Sequence, residues 1–128
     1  MLSERYVLTN LIDNAQYWTS YPLPTTALNN PVFELTRYWR GPTWPITNLF
    51  VIEGLNQNKE NPHCLQIRDE LIQKTCEMIS LNGFYEYFDP TLGDARPDKK
   101  EDTKALGFGS FSWTAAIYVY LMKEYLNN

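Results

Sequence analysis

The sequence predicts an all-α chain of four main helices joined by two long irregular loops, and three observations carry that prediction. Apolar residues recur at spacings of three and four in four separate stretches, the spacing that places side chains on one face of an α-helix. Proline and glycine crowd into the segments between them, at 15–45 and 84–111, where they exclude a long helix or a central strand. No convincing run of alternating strands exists, although Phe84 to Phe88 has the composition of a short extended piece.

The first helix is expected at about 3 to 14, with Ser3 as its cap, Tyr6, Val7 and Leu11 on its apolar side and Asn14 as its stop. The following loop holds Pro22, Pro24, Pro31, Pro42 and Pro45 together with Asn29-Asn30 and Gly41. Loops of that length without structure of their own are uncommon unless they line a site. A second helix begins near Trp44 or Pro45, carries Ile46, Leu49, Phe50, Ile52 and Leu55, and ends near Asn56 to Lys59. Asn61-Pro62 opens the third, with Leu65, Arg68, Ile72, Cys76 and Ile79 on one stripe beside Leu71, and Asn82-Gly83 supplies a left-handed stop. After the second loop Ser110 or Ser112 caps a last helix, about 112 to 126, with Trp113, Ala116, Ile117, Tyr120 and Leu121 on one face and Val119, Met122 and Leu126 widening it. The four helices read as two antiparallel pairs.

The bulk numbers narrow the function. With 128 residues, 44% of them apolar and 15% aromatic, the chain has the length of one domain and enough volume for a core. Fifteen acids against eleven bases give a net charge of −4 with no basic stripe, which argues against nucleic acid as partner. No window has the roughly 18 consecutive apolar residues of a membrane span, and the residues after Met1 lack the apolar run of a signal peptide. The expectation is a soluble, cytoplasmic protein. Cys64 and Cys76 fall in one predicted helix about 18 Å apart, beyond disulfide reach. His63 has no Cys or carboxylate at ligand spacing and reads as a surface or capping residue. No metal motif, phosphate loop or Ser-His-Asp arrangement is present, so neither a metal nor a cofactor is expected.

Two segments carry specific chemistry. Tyr38-Trp39-Arg40-Gly41-Pro42-Thr43-Trp44-Pro45 puts two indoles and a guanidinium around a tight turn directly before a helix. Sugars stack their C–H faces on flat aromatic rings while charged groups bind paired hydroxyls, so the block suits a carbohydrate cleft. Its alternative use is structural, with Trp39 and Trp44 plugging the core beneath a loop. In Gly83-Phe84-Tyr85-Glu86-Tyr87-Phe88-Asp89-Pro90 the carboxylate of Glu86 stands among four aromatic residues, which makes it either a desolvated functional group or a plain loop acid. Asp89 before Pro90 reads as a turn residue serving its own backbone.

Taken together, these segments resemble the closing part of glycoside hydrolases of family sixty-three and their clan relatives. Those are mannosylglycerate and glucosylglycerate hydrolases, processing α-glucosidases and, more distantly, trehalase. The likeness runs from about Asp13 to Tyr120 through Leu23-Pro24-Thr25, the Tyr38 to Trp44 block, Gly54-Leu55, Glu86 to Pro90 and Phe111-Ser112-Trp113-Thr114-Ala115. The resemblance implies a barrel of six helical hairpins, an (α/α)6 barrel, with loops at one end forming a sugar pocket and hydrolysis that inverts the anomeric centre. On it, Glu86 is the general base that activates water, and Tyr38, Trp39, Arg40, Gly41, Trp44 and Trp113 bind the sugar. Inversion needs a second carboxyl, the general acid, about 6.5 to 9.5 Å from the base. In the family this is an Asp in the N-terminal half of the barrel, to which no segment of this sequence corresponds.

Two functions are therefore expected in turn. One is the C-terminal portion, residues 1–128, of a glycosidase domain that works with a complementing N-terminal barrel half. The other is a truncated helical module that binds carbohydrate or only self-associates as a homo-oligomer, without turnover.

Overall fold

The computed structural model describes residues 4–95 and 109–127. Ser3 and the charged excursion from 96 to 104 lie outside the described residues. Among the described residues four α-helices are present in the order expected: α1 (Glu4–Leu11), α2 (Pro45–Asn56), α3 (Pro62–Asn82) and α4 (Ser112–Leu121), the last continuing into a π-helical turn, Met122–Leu126. No helix among the described residues is long and apolar enough to cross a membrane.

Local chemistry sets the helix ends. Pro45 and Pro62 each stand in the first turn, where the missing N–H costs nothing. The Asn61 side chain accepts from the His63 backbone N–H at 3.0 Å and caps α3. Gly83 ends α3 at φ 94°, as its positive φ was expected to do, but at ψ −169°, a region open essentially to glycine alone and more extended than a left-handed helical cap. The first helix stops at Leu11, short of Asn14. Asp13 redirects the chain there, its carboxylate accepting from Ala15 N–H at 2.8 Å and Gln16 Nε2 at 2.7 Å. Neither Ser110 nor Ser112 caps α4. Its N-cap is Phe111, with no side-chain bond, because the start of the helix is held from outside: Phe111 N–H donates to the Phe84 carbonyl and Thr114 Oγ1 to the Tyr85 carbonyl.

The core forms where α2, α3 and α4 meet, with Ile52, Leu71, Ile72, Cys76, Ile117 and Leu121 buried in one cluster that also takes Leu23 from the first loop. Burial of such side chains stabilises by about 1.5–3 kcal/mol each. The face of α3 turned inward is Cys64, Ile67, Leu71, Thr75 and Met78 beside Ile72, Cys76 and Ile79. Leu65 and Arg68 sit at its margin, and Arg68 bonds Asp69 and Asn56 and lies over the Tyr125 ring. Both cysteines are free and buried. Burial raises the Cys76 thiol to about 11, so it packs as an apolar group.

Contacts along the helices fix their directions. Asn48 meets Thr75 and Asn56 meets Arg68, so α2 and α3 are antiparallel; Thr114 meets Tyr85 and Tyr125 packs by Arg68, so α3 and α4 are antiparallel too. Rather than two separate pairs, α2, α3 and α4 each pack on the other two in one bundle, in which α2 and α4 run the same way and α3 runs against both. The exposed side of α3 is polar, with Gln66, Asp69, Glu70, Gln73 and Glu77. On α4 only Thr114, Ile117 and Leu121 are buried. Much of the wide apolar face expected of this helix stays open, with Trp113 55% and Val119 63% exposed, and Trp113 shares a groove with Phe50 of α2, itself 68% exposed. The bundle thus has a wetted side on α3 and uncovered apolar side chains on α2 and α4.

Candidate active site

Three loop segments far apart in sequence are tied together at one end of this bundle. Thr43 lies between Pro24 on one side and Phe88 on the other in isolated antiparallel bridges. Thr43 N–H donates to the Phe88 carbonyl and Phe88 N–H to the Thr43 carbonyl, both at 2.9 Å, while Thr25 N–H donates to the Pro42 carbonyl. The expected extended piece at 84–88 therefore pairs with the aromatic block. Below them Asn48, buried in α2, holds the Pro22–Leu23 peptide: Leu23 N–H donates to Asn48 Oδ1 at 3.0 Å, and Asn48 Nδ2 donates to the Pro22 carbonyl and to Thr75 Oγ1.

This pairing brings Tyr38, Trp39, Trp44 and Glu86 into one cluster. Trp44 is 1% exposed and stacks flat under Trp39, centroids 3.7 Å apart and planes 11° from parallel. Its other side is covered by Tyr87 at 4.9 Å and 23°. The two indoles thus divide the uses that composition left open: Trp44 is a buried plug, and Trp39, 44% exposed, presents the surface. Tyr38 meets Trp39, Trp44 and Tyr87 edge-on, at 5.5, 4.9 and 5.6 Å. Its backbone has φ 40°, a left-handed conformation that a non-glycine residue adopts at a cost of about 1–3 kcal/mol. The Trp44 Nε1–H donates to the Tyr38 carbonyl at 3.0 Å and holds it there.

Glu86 is 7% exposed, and the Tyr38 hydroxyl donates to its Oε1 at 3.4 Å across 48 positions of sequence. Asp89 behaves as the turn residue expected, its Oδ1 accepting from Thr91 N–H, Thr91 Oγ1 and Leu92 N–H. Arg40 does not lie between the indoles. Its guanidinium forms an ion pair with Glu34, and Glu34 N–H donates to the Arg40 carbonyl at 2.7 Å, which closes the 34–40 loop on itself. Gly41 is buried at the neck of that loop, where a Cβ would fall on the Glu34 carbonyl oxygen. Trp113 lines a groove of about 530 Å³ shared with Trp39, Ile46, Phe50 and Ala116. On its other side Trp39 borders a second groove of about 610 Å³, with Val7, Leu11, Leu23 and Val51.

Sequence reasoning did not single out Glu34, Thr43, Asn48 or Tyr87. Only Asn48 left a legible signal, as an amide between Ile46 and Leu49 near the start of a largely apolar helix. The rest act through partners many residues away. Among the described residues no group of three or more His, Cys, Asp or Glu is placed to hold a metal ion. The cluster offers one shielded carboxylate, one exposed indole face and a donor on the carboxylate, a set suited to polarising a small polar molecule beside a flat apolar ring face.

Comparison with known proteins agrees with the geometry. The family model of the mannosylglycerate hydrolase MGH1-like glycoside hydrolase domain matches residues 3–114. The chain is 33% identical over 98 residues to mannosylglycerate hydrolase MGH1 of Selaginella moellendorffii, covering 77% of this chain and 17% of that protein. It is 35% identical over 94 residues to the mannosylglycerate hydrolase of Rubrobacter radiotolerans, covering 72% and 18%. Among solved structures, the GH63 mannosylglycerate hydrolase of Thermus thermophilus with Tris and D-glycerate superposes at a TM-score of 0.69 and 26% identity, over 91% of this chain and 24% of that one. The same enzyme with Tris gives 0.61 and 31%, over 80% and 21%. The chain thus spans less than a fifth of the length of these curated relatives, and its helices form part of the helical barrel of such enzymes.

Proposed function

The chain belongs to the MGH1-like glycoside hydrolase family, and on that footing we propose that it is the C-terminal part of the catalytic barrel of an inverting glycosidase acting on α-mannosides or α-glucosides. The names of its relatives favour a mannosyl group joined to glycerate as the class of substrate. In this reading Glu86 is the general base, taking a proton from the water that attacks the anomeric carbon, and the open face of Trp39 carries the sugar ring. The general acid comes from the remainder of the barrel, about 6.5 to 9.5 Å from Glu86 across the scissile bond. Arg40 and Gly41 shape the loop that presents Trp39, and Trp113 lines the apolar groove beside it. The observation that supports the reading most is the meeting of the two motifs, with Glu86 shielded from solvent and bonded by Tyr38 of the aromatic block.

The test is Glu86→Gln in a complete barrel, assayed on α-mannosides and α-glucosides alongside calorimetric binding. Turnover should fall by about 10²- to 10⁴-fold while binding and fold persist. Parental turnover in that variant would remove Glu86 from the mechanism. A second reading, favoured by the uncovered face of Phe50, Trp113 and Val119, is a module without turnover that binds carbohydrate or associates with its own kind. It expects sugar binding or association with no hydrolysis in any assembly.

A further inference from the structure

We propose that Tyr38 is a positioning residue for the Glu86 carboxylate, and that the Tyr38 to Trp44 block serves to build that single hydrogen bond as much as to contact sugar. The inference rests on the reading of Glu86 as the base. A carboxylate that must take a proton from one water works best when its direction is fixed by a donor on one oxygen. The Tyr38 hydroxyl is such a donor, bonding Oε1 at 3.4 Å, and it thereby limits the rotation of the whole carboxylate.

Its neighbours hold Tyr38 in place. Its backbone is held left-handed at φ 40°, with its carbonyl taken by Trp44 Nε1–H. Its ring, half exposed, packs edge-on against Trp39, Trp44 and Tyr87, and its hydroxyl is turned to Glu86. The loop it sits on is closed by the Glu34–Arg40 ion pair and the Glu34 N–H to Arg40 carbonyl bond. The double hydrogen bond between Thr43 and Phe88 sets the height of this loop against the strand-like segment that carries Glu86, two residues from Phe88. With Trp44 buried under Trp39 and over Tyr87, its ring supports the arrangement and has no free face for a sugar.

Tyr38→Phe tests the proposal because it keeps the ring and removes only the hydroxyl. In the chain itself the thermal midpoint should be unchanged, while the Glu86 carboxyl carbon resonance, identified by its loss in Glu86→Gln, should shift or broaden as the side chain samples further rotamers. An unaltered Glu86 resonance would overturn the proposal. In a complete barrel the same variant should lower kcat by about 10- to 100-fold with KM near parental, since misplacing a reacting group costs rate and not affinity. A raised KM at parental kcat would make Tyr38 a substrate contact and overturn the positioning role alone. If Glu86→Gln itself kept the parental rate, the reading of the base would fail, and this inference with it.

Discussion

Thr43 and Phe88 exchange both of their backbone hydrogen bonds at 2.9 Å, and that one residue pair sets the register between the aromatic block and the segment of Glu86. Both residues are fully buried, so water does not compete for the bonds. A slip by one residue would turn Glu86 to the opposite side of its segment.

Gly41→Ala should open the Tyr38 loop. Its Cβ would meet the Glu34 carbonyl oxygen, a backbone atom that cannot swing aside, and relief requires moving the 34–40 turn. The expected cost is about 1–3 kcal/mol, read from chemical denaturation. The stacking of Trp39 on Trp44 should loosen with it, measured as a change in tryptophan fluorescence. An alanine variant with parental stability and spectrum would mean the loop is free to adjust.

Asn48→Ala should destabilise more. It strands a buried N–H of Leu23 and a buried carbonyl of Pro22 at once, and groups of this kind cost about 1–3 kcal/mol each when left unpaired. Thr75→Val should be milder, because it leaves both bonds to the Pro22–Leu23 peptide in place. Denaturation midpoints of the two variants, compared directly, check the order.

The end of α4 should lose its hold at high pH. Tyr120 and Tyr125 both donate to Glu53 Oε1, at 2.9 and 3.0 Å. Burial holds the Tyr125 phenol well above its ordinary range, and the hydrogen bond and charge of Glu53 raise it further. A raised phenol means the folded state keeps a proton that the unfolded chain releases near pH 10. The contribution is therefore complete below about pH 10 and is lost as pH rises from there toward the folded value. Tyr125→Phe should flatten the alkaline fall of the unfolding midpoint above about pH 10; a slope equal to the parent's would place its origin elsewhere.

The isolated chain should self-associate through the apolar front of α2 and α4. Phe50, 68% exposed, is a position where Phe50→Glu adds charge without touching the core, so stability should stay within about 0.5 kcal/mol. Light scattering after size exclusion should show a smaller mass for the variant. A parental chain that is already monomeric would mean the exposed face is tolerated in water.

What local sequence determined is what local physics controls. Asn61-Pro62 and Asn82-Gly83 bounded α3 to the residue, because capping and positive φ are properties of neighbouring residues. The density of proline and glycine placed the first loop for the same reason, and three ordered motifs were enough to name the family. Tertiary structure alone decided the rest. Trp39 and Trp44 are the same residue type five positions apart, yet one is a surface and the other a plug, since Tyr87 arrives from another segment to cover the second face. Arg40 looked available to a ligand until Glu34 folded back to pair with it. The apolar side of α4 is open because burial depends on which elements face it, and the Thr114, Ile117 and Leu121 side is the one that α2 and α3 cover. Pairings across dozens of residues leave no period in the sequence, and so the direction in which Tyr38 points its hydroxyl is written only in the folded chain.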